Sequence, residues 1–423
     1  MPNHGWKILL SLACVLASFP TLVSAETVFE EVSIIYDAGR QDSLSSAAVD
    51  IAGNMYLTGV TDDVERTYFV AKYDSHGHEK WIHTDSSSTQ AREMIVDRNG
   101  NAYVALSSKL GKILKYDTDG NESILADPRI VPYGCCGWPV GLVLDKDGNN
   151  LYSWASHTIQ KISLDGSTGW IQRFHTASYS VRDIEADNSG NIYVVGHSVS
   201  VHNRSAPGLI VKKLDSLGNV IWSQFWHAEG DGDQGETVHG LELDSNNNVY
   251  LLTQSLNYED SCRYCVTSFV VRFSSDGYTM SSAILNGTDG YMAGAMKVAD
   301  DKVYVTMRSR THMLTAQKLN TDLSLAWSSE YSNGFATPLS LDVDGFGNVL
   351  VGFRGQYNAA AVKFDTHGDE LWTQNFDGND LKLTKFGPTG EVYVAGNISS
   401  GFGPSFTTDA VMYRYGVAPL SCQ

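Results

Sequence analysis

The residues with the most obvious chemistry form one acidic run, Trp226-His227-Ala228-Glu229-Gly230-Asp231-Gly232-Asp233-Gln234-Gly235-Glu236. Glu229, Asp231, Asp233 and Glu236, interleaved with glycine, have the ligand type and the loose spacing that wrap a hard cation, so Ca²⁺ is the one cofactor these residues suggest. The run lacks the residue order of a twelve-residue EF-hand loop. Cysteine offers a second chemistry. Cys262-Arg263-Tyr264-Cys265 reads as a disulfide staple in a loop, because no second C-x-x-C or His pair completes a zinc site. Cys135 and Cys136, in Gly134-Cys135-Cys136-Gly137-Trp138, either form a strained vicinal disulfide or reach distant partners such as Cys422. A third chemistry would pair His227 or His239 with Tyr133 or Tyr179, as the acid and base of a polysaccharide lyase. No G-x-S-x-G, H-E-x-x-H or phosphate-loop motif occurs.

The elements that must position these residues are repeated. Val49-Asp50-Ile51-Ala52-Gly53-Asn54-Met55-Tyr56-Leu57 returns around Tyr103, Tyr152, Tyr193 and Tyr250, and in weaker form around Tyr304, Leu350 and Tyr393. The anchors are 41 to 57 residues apart. In each copy a short apolar run ends in a turn, often Asp-x-x-Gly-Asn. A Val/Leu-rich alternation follows, then a second alternation, a glycine turn and a last strand that often starts near Trp. Gly-Asn turns between alternating runs are hairpin signals. Four short strands per copy without helical periodicity predict one blade of an all-β propeller.

Units one to seven each have a last strand, but the eighth stops after Met412-Tyr413-Arg414-Tyr415. At the other end, Val32-Ser33-Ile34-Ile35-Tyr36 has no hairpin partner of its own. Placing it outside the final blade gives eight four-stranded blades, closes the ring and hides a sheet edge. Seven blades with one degenerate unit is the alternative. The expected organisation is a signal peptide at 1–25 and a single propeller domain at 26–423.

Two positions recur in the repeat. A basic residue ends the third strand of every unit (Lys72, Lys115, Lys161, Lys213, Arg272, Lys318, Lys363, Arg414), and Lys72-Tyr73-Asp74 suggests an exposed ion pair along the strand. The Trp of Asp-x-x-Gly-x-x-x-Trp, at Trp81, Trp222 and Trp372, reads as a wedge between blades. Function is then expected where the repeat varies, at the channel mouth. Five residues before each turn, at the start of the innermost strand, stand Ser45, Arg92, Val140, Arg182, His239, Leu339 and Lys382. Arg92, Arg182, His239 and Lys382 would make a basic funnel for an anionic ligand such as a uronate-bearing glycan. The adjacent Glu93 and Asp183 could instead pair with them. Trp138, where the repeat is broken before the third blade, joins these as a candidate ligand-binding residue.

Composition sets outer limits. Charged residues are 18 % of the 423 and the net charge is −18, which disfavours nucleic acid and anionic lipid. Lys7, the apolar run Ile8 to Phe19 and Val23-Ser24-Ala25 have the layout of a secretory leader. No later stretch is long and apolar enough for a membrane-spanning helix. The expectation is an exported monomer, secreted or periplasmic, with disulfides permitted.

The pattern Asp187-x-x-Gly190-Asn191-x-Tyr193-Val194-x-Gly196, followed by Val211-x-Lys213-Leu214-Asp215-x-x-Gly218-x-x-x-Trp222, resembles the SBBP-type β-propeller repeat of exported bacterial proteins. The Gly-to-Trp spacing is also similar to the tryptophan-docking repeats of eight-bladed quinoprotein dehydrogenases and of an outer-membrane assembly scaffold. The first resemblance implies the propeller fold and an exported protein and is nearly silent on activity; the leading reading of the chain is a non-catalytic propeller that binds a glycan or a protein partner at its channel face. The second implies a quinone-dependent oxidoreductase, in which Cys135-Cys136 and Trp138 would sandwich the quinone. The calcium and quinone carboxylate ligands of those enzymes are not identifiable here by spacing. A lyase acting on acidic glycans is the other enzymatic alternative.

Overall fold

The structure is a computed structural model that describes residues 26–38, 41–62, 66–85, 90–107, 112–126, 141–165, 169–174, 179–198, 208–228, 236–259, 262–285, 291–331, 334–356, 358–376, 378, 380–400 and 407–419. Its secondary structure is 32 strands, numbered β1 to β32 in chain order. They form eight separate four-stranded antiparallel sheets. The innermost strands are β2 (Asp42–Val49), β6 (Ala91–Val96), β10 (Gly141–Leu144), β14 (Ser180–Ala186), β18 (Glu236–Leu243), β22 (Met292–Ala299), β26 (Thr337–Val343) and β30 (Asp380–Phe386). Each touches the innermost strand of the blade before and after it, and β30 returns to β2, so the ring is closed.

The closing blade is built as the unpaired N-terminal segment predicts. Strand β1 (Glu26–Tyr36) adds antiparallel to β32 (Thr407–Pro419), which pairs with β31 (Val392–Ser400) and then β30. Both chain ends thus share one sheet, and β1 covers an edge that would otherwise expose unpaired amides.

The repeat grammar has a local cause. The turn Asp50 accepts the amides of Ala52 and Asn54, the Asn54 side-chain amide and the Tyr56 hydroxyl, all at 2.8–3.0 Å. Asp97, Asp187 and Asp244 repeat the set with Tyr103, Tyr193 and Tyr250. A tyrosine ring can therefore be fully buried with its hydroxyl satisfied.

The recurrent basic residue corrects the exposed ion-pair reading. Lys72 is only 5 % exposed, lies over the Tyr56 ring and donates to the Thr118 carbonyl of the next blade at 3.2 Å. Lys161, Lys213 and Arg414 make the corresponding bonds to Ser216, Ser275 and Ser75. Asp74 is occupied instead in capping its own turn through the amides of His76 and His78. Two members do form ion pairs, but with β1 and not with a neighbour on their own strand: Lys363 Nζ lies 2.7 Å from Glu26 Oε2, and Arg414 Nη2 lies 3.2 Å from Glu31 Oε2.

Tryptophan does wedge between blades. Trp81, Trp170, Trp222 and Trp327 each donate Nε1 to a turn carbonyl of the following blade, at Thr118, Ser216, Ser275 and Thr366. The facing glycine is obligatory: a Cβ on Gly120, whose φ is +88°, would lie 2.7 Å from the Trp81 ring.

The C-x-x-C segment is not in a loop. Cys262 and Cys265 belong to strand β20 (Cys262–Phe273), where they pair with Glu259 and Asn257 of β19 (Val249–Glu259). That hairpin extends the alternation of Val249 to Phe273 further than turn chemistry in the sequence suggests. Cys135, Cys136, Trp138 and Tyr133 lie outside the described residues.

Candidate functional site: the channel mouth

Six of the eight innermost strands open with a one-residue irregularity that no residue pattern announces, while β22 skips two residues and β10 shows no skip along its described length. Pairing with the second strand skips one residue between Leu44 and Ser46, Ala91 and Glu93, Val181 and Asp183, Val238 and Gly240, Pro338 and Ser340, and Leu381 and Leu383. The skipped residues are Ser45, Arg92, Arg182, His239, Leu339 and Lys382, the same positions that the sequence alignment places at the mouth. A β-bulge leaves its extra residue out of the ladder and re-aims its side chain. Arg92, Arg182, Leu339 and Lys382 are exposed, whereas Ser45 and His239 are half-buried. Val140 lies outside the described residues.

The charges at this level differ from a uniform basic funnel. Lys382 Nζ sits 2.8 Å from Asp380 Oδ2, which cancels its charge locally. Burial pushes the His239 imidazole below its ordinary value, so it is neutral near pH 7, and its Nε2 is buried without a partner. Arg182 donates Nε to His197 Nδ1 at 3.3 Å. Burial, reinforced by that arginine, pulls His197 down to about 4. Arg92 and Arg182 are the exposed arginines at this level.

The local-pairing alternative for Glu93 and Asp183 is also corrected. Glu93 Oε2 accepts the amide of Leu142 at 3.0 Å, and Asp183 Oδ2 accepts the amide of Leu241 at 3.0 Å. Each carboxylate reaches across to the innermost strand of the following blade. The reason is topological: an innermost strand has a second sheet strand on one side only, so its channel-side amides need partners from elsewhere. Burial raises both carboxyls to about 7, with the accepted amides opposing the shift.

One turn deeper, the residues paired with the repeat tyrosines form a belt. Blades four to eight contribute Glu185, Glu242, Lys297, Asp342 and Lys385, and blades one to three contribute Ala48, Ile95 and Val143. Lys297 Nζ bonds both oxygens of Glu242 at 3.0 and 3.3 Å. Asp342 accepts the Phe386 amide and Lys385 donates to the Val49 carbonyl. Burial, then the neighbouring Glu242 charge, raises Glu185, while the Glu242 charge holds Lys297 above its ordinary value. The belt ties blades together.

Of the lyase pairings, those that use Tyr133 fall outside the described residues, and those that use Tyr179 draw on a side chain committed to the core. Tyr179 is a core residue, 3 % exposed, whose hydroxyl donates to the Ile210 carbonyl at 3.2 Å. His227 is not a plain surface residue: its Nδ1 lies 2.7 Å from Glu236 Oε1. Glu236 is 5 % exposed and also accepts the Ala228 amide, and its Oε2 is buried without a partner. Glu229, Asp231 and Asp233, the rest of the acidic run, lie outside the described residues.

No family model and no curated protein matches the sequence. Among solved structures, the chain is similar to the Dos1 propeller, with a TM-score of 0.58 and 11 % identity over 93 % of this chain and 94 % of that one. A puromycin hydrolase aligns with a TM-score of 0.48 at 11 % identity, over 86 % of this chain and 59 % of that one. A eukaryotic initiation factor aligns with a TM-score of 0.45 at 8 % identity, over 81 % and 89 %. At these identities the likeness carries the fold and no activity. The protein is an eight-bladed β-propeller.

Proposed function

We propose that this protein is an exported, non-catalytic propeller that binds a carboxylate- or sulfate-bearing glycan at its channel mouth. The observation that carries the reading is the set of bulges that takes Arg92 and Arg182 out of their ladders on blades two and four. An arginine fork matches a carboxylate or sulfate bidentately. Glu93 and Asp183, poised near pH 7 beneath them, can donate as well as accept hydrogen bonds to sugar hydroxyls. The leader-like 1–25 segment supports export.

A glycan array probed with the wild-type chain and with Arg92→Ala/Arg182→Ala tests the reading. Binding confined to uronate or sulfated glycans, lost at least tenfold in the double variant, is expected; equal binding by both proteins rejects it. Absorbance at 235 nm over acidic polysaccharides separates the lyase alternative, since elimination creates an absorbing double bond and binding does not.

A further inference from the structure

Asp37, Asp42 and Asp409 bring carboxylate oxygens within 4.8 Å of one another. They come from three chain segments: Asp37 directly follows β1, Asp42 is the first residue of β2, and Asp409 lies in β32. Asp42 is fully buried; its Oδ2 accepts the Ala38 amide at 2.7 Å, and its Oδ1 is buried without a partner.

A second, independent residue points to the same place. Thr61, in β3 (Met55–Asp62), is the direct cross-strand partner of Asp42. Directly paired residues of antiparallel strands project from the same face with their Cβ atoms about 4.5–5.5 Å apart. Thr61 is 5 % exposed, and its Oγ1 is also buried without a partner. Two neighbouring buried oxygens left unsatisfied beside a cluster of carboxylates carry a desolvation cost that a single bound cation removes.

We infer that Asp37, Asp42, Asp409 and Thr61 form a Ca²⁺ site that locks the ring closure. All four offer oxygen, the donor of hard cations. Ca–O distances of about 2.3–2.6 Å place opposite ligands roughly 4.6–5.2 Å apart, so oxygens within 4.8 Å of one another can share one Ca²⁺. The ion joins the end of the N-terminal strand, the first strand of blade one and the last strand of the chain. A backbone bridge between Gln41 and Thr408 already brings these segments together.

Calorimetry and thermal unfolding of the chelator-stripped full chain, with and without Ca²⁺, test the inference. Binding heat is expected, with a rise in unfolding temperature of about 3 °C at a hundredfold excess over Kd. Asp409→Asn should abolish both, and Thr61→Val, which keeps the shape but removes the oxygen, should weaken binding about tenfold. Absence of heat in the wild type overturns the site. So does full retention of heat in Asp409→Asn, which would put the ion elsewhere. If the variants fail to fold, Tb³⁺ luminescence on the wild type decides: tyrosine excitation at Tyr36, next to Asp37, should sensitise bound Tb³⁺, and Ca²⁺ should quench the signal. No sensitised emission overturns the proposal.

Discussion

At the scale of single residues, the channel acids are the least ordinary groups in the molecule. Glu93 and Asp183 titrate near 7 when folded, against the usual carboxylate range in an unfolded chain. Between about pH 4 and 7 the folded state therefore holds more protons than the unfolded state, and stability falls as pH rises through that window. Above 7 the loss is complete. Glu93→Gln/Asp183→Asn keeps an oxygen for the Leu142 and Leu241 amides but removes the titration. Its unfolding temperature should change less between pH 5 and 8 than that of the wild type; identical slopes in differential scanning calorimetry would refute the account. The Arg92/Arg182 binding test belongs to this scale too, because the proposed recognition rests on those two exposed side chains.

At the scale of elements, blades one, three and four are each joined to the next by a lysine, a tryptophan and a turn that holds a glycine. Gly120 and Gly148 separate the two reasons for glycine. Both have positive φ, at +88° and +71°, but a Cβ on Gly120 would meet the Trp81 ring whereas nothing lies within 4 Å of Gly148. Gly148→Ala should cost about 1 kcal/mol from backbone strain alone, and Gly120→Ala about 2–4 kcal/mol because the wedge must also move. Denaturant titration measures both, and equal costs would contradict the wedge. The hairpin and turn were legible in the sequence because they rest on contacts close along the chain, and the wedge because its Asp-x-x-Gly-x-x-x-Trp spacing recurs between units. The lysine was misread because its partner, the Thr118 carbonyl, is 46 residues away, and spacing within one strand suggested the nearer Asp74.

At the scale of the whole molecule, closure is what turns eight weakly autonomous sheets into one body. Removing 26–36 would leave the β32 edge unpaired along the face now covered by β1. The shortened chain should lose cooperative unfolding and self-associate, seen as broadened calorimetric transitions and larger species in size-exclusion chromatography. A monomer with an unchanged transition would show that closure is dispensable. The proposed Ca²⁺ site acts at the same joint, so its effect on unfolding should vanish in the shortened chain.

Repetition let the sequence by itself determine the blade, the number of blades and the missing outer strand. Each copy carries its own turn aspartate, tyrosine and strand alternation, and a deficit at one end matched a surplus at the other. It also placed Ser45, Arg92, Arg182, His239, Leu339 and Lys382 at one level. Only the tertiary structure decided what that level does. The bulges that re-aim those residues depend on pairing across a hairpin, and the neutral His239 and the compensated Lys382 depend on burial and on Asp380. The turn of Glu93 and Asp183 away from their arginines follows from free amides on the next blade. The Asp37, Asp42, Thr61 and Asp409 cluster was invisible for the same reason. Its members lie up to 372 positions apart, and only ring closure makes them neighbours.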